Sequence, residues 1–234
     1  MHRAIRVAIP FIVAALVASA CGTAGTSGGA KAAVTIGSTN FSEQLVLGEL
    51  YSQILEANGY PVTRKFNLGN REIVFPALQS GQIDLEADYL ATLLAFVDKT
   101  AKGSTDPKVT ADALQKALTP KSLTVLDYAP AVDQNGFAVT KATADKYKLA
   151  KLSDLAAVAK GLVMGGPPEC PNREFCALGL KSVYGITFKE FKPLDVGGAL
   201  TIAALKGGQI DVGLLFTTDA RIVSEGFVLL EDDK

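Results

Sequence analysis

Five residues past Asp84 stands Tyr89, and five past Asp211 stands Phe216; three further along each copy lie Thr92 and Asp219. Both acids close the same four letters, GQID, at 81–84 and again at 208–211, so the two rings hold equivalent places. An aromatic face attracts a cation by ~0.5–1 kcal/mol when exposed and by ~2 kcal/mol or more when desolvated. Non-covalent capture of a cation is the chemistry this pair suggests; the alternative is that each ring packs its own surroundings. Upstream, Asn40 and Glu43 are spaced as a capping box that leaves helix N–H groups beside them, and Gln44 follows one position later.

Covalent chemistry has little to work with. The only histidine is His2, inside what reads as a leader, so histidine-based triads and His-ligated metals are excluded from the processed chain. A carboxylate pair drawn from Asp84, Glu86, Asp88 and Asp219 is an alternative, because glycosidases work with two acids and no histidine, but no spacing singles out a pair. Cys170 and Cys176 lie close in sequence in an oxidising compartment and are expected to form a disulfide, contributing about 2–3 kcal/mol on the chain-entropy account. With no histidine nearby they do not complete a zinc shell. Arg173 sits in the loop they close, suited either to bind a carboxylate or to cap neighbouring acids. No cofactor is expected.

The leader itself is Arg3 and Arg6 before an uncharged run from Val7 to Val17, then Ala18-Ser19-Ala20. About eleven apolar residues are too few for a bilayer that needs roughly 20. Residues 1–20 therefore read as a signal peptide, and Cys21 as a lipid-carrying residue of the bacterial lipoprotein type, with simple cleavage near Ala20 as the alternative. A Gly/Ser/Thr/Ala run over 22–33 makes a flexible tether, so 21–33 forms no core. Setting Arg3 and Arg6 aside from the 23 Lys and Arg leaves 21 against 24 Asp and Glu, a formal charge of −3 without a basic run. Nucleic-acid binding is not expected.

Positioning the candidate residues requires elements on both sides of them. LGNREIVFPALQSGQID (68–84) aligns without gaps to DVGGALTIAALKGGQID (195–211), and both are helical patterns stopped by glycine before a short apolar strand. The same order of strand, helix, strand, helix precedes each copy, from Val34 and from Leu162. Alternating strands and helices predict α/β architecture with parallel sheets, here in two similar lobes. Lobe one is expected over 34–130 and lobe two over 131–224. Ligands in such folds bind beyond the carboxyl ends of the strands, where Tyr89 and Phe216 stand.

The stretches GSTNFSEQLVLGELYSQILE, ALQSGQIDLEADYLAT, NGFAVT, YGITFKEFKPLDVGGA and FTTDARI resemble the glycine betaine/choline/carnitine substrate-binding proteins of osmoprotectant ABC importers, from about Val34 to the end. The resemblance implies a two-lobed type II periplasmic-binding-protein fold, each lobe a mainly parallel sheet flanked by helices. It implies a receptor, not an enzyme, that closes on a small-molecule solute and presents it to ABC permease subunits. By position, Tyr89, Phe137, Leu200 and Phe216 stand where the family places an aromatic box for a trimethylammonium group. Gln44 and Thr92 match polar ligand positions; Asn40, Asn135, Thr217 and Asp219 complete the lining, with Arg173 from the disulfide loop. Only Tyr89 keeps the family's tyrosine, and Leu200 removes a wall of the box. That departure opens a second reading, a different acidic or aromatic metabolite in the same fold. Residues 225–234 are expected to begin the family's return segment into lobe one, with the remainder beyond Lys234.

Overall fold

In the computed structural model, which describes residues 31–234, the first apolar run, Val34–Gly37, forms β1, and Ser42–Ala57 forms α1. Val62–Lys65 (β2), Arg71–Gln79 (α2) and Leu85–Glu86 (β3) follow, giving a sheet of order β2-β1-β3 with parallel pairing throughout. The expected leader with His2, and the expected lipid site Cys21, lie outside the described residues. Leu90–Val97 (α3) and Pro107–Leu118 (α4) pack on each other through Leu93, Leu94, Leu114 and Leu118, with Phe75 beneath. Asp106 caps α4 by accepting from the Lys108 amide, and Pro107 takes the first helical position, where its missing N–H costs nothing. The apolar run after α4 forms no strand. Gln115 serves as its partner instead, accepting from the Val125 amide at 2.8 Å and donating to the Leu123 carbonyl at 3.3 Å.

The second half supplies Asn135–Thr140 (β4), Lys141–Tyr147 (α5), Leu152–Leu155 (α6), Val163–Gly166 (β5), Ala177–Tyr184 (α7) and Glu190–Pro193 (β6). Ala199–Lys206 (α8), Val212–Phe216 (β7), Arg221–Ser224 (α9) and Phe227–Leu229 (β8) complete it. These strands order as β6-β5-β7-β4-β8, so β6-β5-β7 reproduces the parallel β2-β1-β3 arrangement of lobe one. β4 adds antiparallel pairings to β7 and β8. The Cys170–Cys176 disulfide forms, and the loop it closes delays α7 to Ala177 rather than the expected Arg173.

Within residues 225–234, β8 pairs with β4, and Ser153 Oγ donates to Asp233 at 2.7 Å. Phe227 and Leu230 are buried in the two apolar clusters on the faces of the lobe-two sheet.

The GQID repeat is a single structural device used in each lobe. Gly81 and Gly208 adopt φ of 71° and 66°, and the amides that follow close a Schellman turn over the ends of α2 and α8. The Gln82 amide reaches the Ala77 carbonyl at 2.9 Å, and the Gln209 amide reaches that of Ala204 at 2.9 Å. Each glutamine carbonyl then accepts from a lysine of the neighbouring strand, Lys65 or Lys192, at 3.0 Å. Ile83 and Ile210 are buried against Gly37 and Gly165, where a Cβ would collide with them. Asp84 and Asp211 clamp the equivalent strands β1 and β5, their carboxylates accepting from the amides of Thr35 at 2.7 Å and Val163 at 2.8 Å. The repeat thus fixes the register of the strand that leads to Tyr89 in one lobe and Phe216 in the other.

Candidate functional site

Residues Ala32–Lys234 pack as one unit, and the ends of β1, β3 and β7 meet in it. Phe41 precedes α1 in extended conformation and puts its ring between the two expected ones. Its centroid lies 4.7 Å from Phe216 and 6.3 Å from Tyr89, with interplanar angles of 19° and 22°. Three near-parallel rings therefore span the two lobes. Offset stacking of this kind is favourable beyond area alone, by ~0.5–1.5 kcal/mol per pair.

Acids surround the stack. Glu43 does not make the expected capping box with Asn40, which is exposed at a bend; no side chain caps α1. Its carboxylate instead accepts from the Tyr89 hydroxyl at 2.6 Å and, across the lobes, from Thr218 Oγ1 at 2.6 Å. The same Thr218 hydroxyl lies 2.9 Å from Asp133, its one proton shared between the two carboxylates, and Asp133 also accepts from the Thr218 amide at 3.2 Å and from Thr217 Oγ1 at 3.3 Å. Burial holds the Asp133 carboxyl above its ordinary range against the pull of the Thr218 hydroxyl, with the charge of Glu43 adding to the rise. Burial likewise pushes the Tyr89 hydroxyl up, against a hydrogen bond from Gln44, with Glu43 and Asp133 adding to the rise. Three buried oxygens here make no hydrogen bond within the protein: Thr39 Oγ1, Gln44 Oε1 and Asp133 Oδ2. Buried polar atoms are ordinarily partnered, so these three oxygens are exceptions that remain able to accept.

Arginines near this region are committed to the protein. Arg71 pairs with Asp88 and donates to Thr92 Oγ1 at 2.8 Å, so Thr92 supports α2 rather than standing free. Arg221 grips Asp219, 2.6 Å away, and the Gly197 carbonyl at 2.8 Å. Burial raises the Asp219 carboxyl, but Arg221 and its amide more than offset this and hold it low. Arg173 reaches Glu72 of lobe one at 2.7 Å. Of the acids considered for hydrolysis, Asp84, Asp88 and Asp219 are thus tied to backbone or arginine.

The remaining expected positions divide. Asn135 lies opposite Phe216 in the β4–β7 register, and its amide donates to the Phe175 carbonyl at 2.7 Å. Phe137 shares that sheet face two register pairs along, opposite Leu214, yet it is only 6% exposed and belongs to the lobe-two core. Leu200 is 61% exposed on the first turn of α8, whose N-terminus is capped by Asp195 accepting from the Leu200 amide at 2.8 Å. Neither joins the ring stack; of the four positions inferred for the box, Tyr89 and Phe216 do, each stacked on Phe41. Sequence reasoning missed Phe41, Asp133 and Thr218 and misassigned Glu43. The one available signal was that Phe41 follows directly on the strand-end residues Ser38 to Asn40. Among the described residues, no group of His, Cys, Asp and Glu could hold a metal ion.

Two lobes of duplicated α/β topology, meeting at strand ends that carry rings and acids, define a ligand-capturing binding protein of the type II periplasmic class. The chain belongs to the family described as the substrate binding domain of ABC-type glycine betaine transport systems, whose model matches residues 32–234. This is a transport family of extracytoplasmic receptors rather than an enzyme family.

Two curated relatives and one solved structure give the scale of the likeness. The ergothioneine transport permease/ergothioneine binding protein EgtU of Helicobacter pylori is 31% identical over 196 residues, 82% of this chain. This chain spans only 34% of that relative's length. The carnitine transport binding protein OpuCC of Listeria monocytogenes is 29% identical over 229 residues, covering 95% of this chain and 73% of the relative. A crystal structure titled as a glycine betaine/carnitine/choline ABC transporter superposes with a TM-score of 0.60 at 31% identity, over 86% of this chain and 74% of that one.

Proposed function

We propose that this protein captures a quaternary-ammonium solute of the glycine betaine, choline or carnitine kind outside the cytoplasm and delivers it to an ABC permease, held at the membrane by a lipid on Cys21. One observation carries the reading: three stacked rings from both lobes lie beside two carboxylates, Glu43 and Asp133, that meet hydroxyls rather than cations. Ring faces and carboxylates both favour a desolvated cation. The committed arginines leave that negative field uncompensated at the rings. Binding would part Phe41 from one of its neighbours and seat the ammonium head between faces, with Gln44 Oε1 available to accept from the hydroxyl of choline or carnitine and Thr39 Oγ1 available to donate to a carboxylate.

A second reading, a flat cationic metabolite, is favoured by the near-parallel ring planes, which suit a slab better than a sphere. Calorimetric titration of the full chain with glycine betaine, choline, carnitine and ergothioneine distinguishes the two. The first reading expects saturable binding of an aliphatic ammonium, weakened about tenfold by Glu43→Gln through loss of one nearby charge. Binding of ergothioneine alone favours the second. No heat with any of the four removes both.

A further inference from the structure

The lobes also touch away from the rings, through the loop closed by Cys170 and Cys176. We infer that this loop is an interlobe latch, with Arg173 and Glu169 as positioning residues that hold lobe one closed onto lobe two whether or not a ligand is bound. Arg173 Nη2 lies 2.7 and 2.9 Å from the two carboxylate oxygens of Glu72, on the first turn of α2. Its guanidinium carbon is 5.6 Å from the centre of the Phe96 ring on α3. Glu169, four residues earlier, accepts from Asn70 Nδ2 at 3.3 Å. Four lobe-one and lobe-two groups thus meet in one polar patch, with an aromatic face behind the arginine.

The loop is fixed to lobe two independently of this contact. Both cysteines are buried in the lobe-two core, and the Phe175 carbonyl accepts from Asn135 at the end of β4. A loop pinned at both ends by a disulfide loses little further freedom when it docks, so more of the pair's attraction appears as closure. Arg173 is accordingly spent on the protein, not on a solute carboxylate. If the lobes are held together part of the time without ligand, apparent affinity rises by the factor through which the latch raises the closed population. The consequence for affinity rests on the receptor reading above; the latch itself does not.

The test uses ligand-free full chain carrying one spin label in each lobe, attached through unnatural amino acids so that the cysteines stay paired, with interlobe distances read by dipolar spectroscopy. Arg173→Ala and Glu72→Ala should each lower the closed-to-open ratio by about fivefold, and the double variant should go no further. The swapped pair Arg173→Glu with Glu72→Arg should recover the closed distance, which a general folding defect would not. Cys170→Ser with Cys176→Ser should open the lobes in the same sense. Unchanged distances in the single variants, or effects that add in the double, would overturn the latch. A latch that behaves as described in a protein that binds none of the four solutes leaves the inference intact and sinks the solute assignment instead.

Discussion

At the scale of single residues, the candidate site is an exercise in where charge is left over. Glu43 and Asp133 keep negative charge beside aromatic faces, whereas Asp88, Asp219 and Glu72 are each matched by an arginine. Glu86 is the remaining acid of interest. It ends β3 with Oε1 buried and unpartnered, and burial, then the charge of Asp88, push its carboxyl up to about 8 against the pull of Arg71. A carboxyl whose folded pKa exceeds its unfolded value stabilises the fold in its neutral form. That contribution is complete below the ordinary carboxyl range and fades as pH rises through about 8. Glu86→Gln stays neutral at every pH. Urea unfolding from pH 5 to pH 9 should therefore show wild type losing on the order of 3 kcal/mol relative to Glu86→Gln. Parallel pH courses for the two proteins would mean that Glu86 ionises freely in the folded state.

At the scale of elements, the duplicated helix-to-strand turn makes a paired prediction. Gly81 and Gly208 occupy the left-handed region, and a Cβ at either would meet no neighbour within 4 Å. Substitution to alanine therefore tests backbone conformation alone, and each variant should lose about 1 kcal/mol in denaturant unfolding. A loss at one site and none at the other would break the equivalence of the lobes. This level was legible in the sequence because its causes are local. A glycine after a helical pattern, a buried isoleucine two residues on and an aspartate directly after it are enough to specify turn, packing and strand clamp. The cleft was less legible. The Glu43–Thr218 bond spans a sequence separation of 175, and which residue a ring faces depends on how the lobes meet. Phe137 shows the same dependence: period-two alternation puts it on the sheet face of Phe216, but two register pairs along, where the sheet is already core. The pairing of β8 with the open edge of β4 was likewise not legible, because it joins segments far apart in sequence.

At the scale of the whole molecule, the two halves are held by unlike contacts: a ring stack with one hydroxyl–carboxylate bond beside it at the cleft, and a polar patch at the disulfide loop. A receptor needs both kinds, because the stack can yield to a ligand while the patch keeps the lobes in reach of each other. The central claim is that a cation is bound at the stack. Its most direct test is a crystal structure of the full chain grown with choline or glycine betaine. The account requires the ammonium nitrogen within ~6 Å of at least two ring centres among Phe41, Tyr89 and Phe216, on the side of Glu43 and Asp133. Clear density for the ligand elsewhere, with the three rings still stacked on one another, would contradict it.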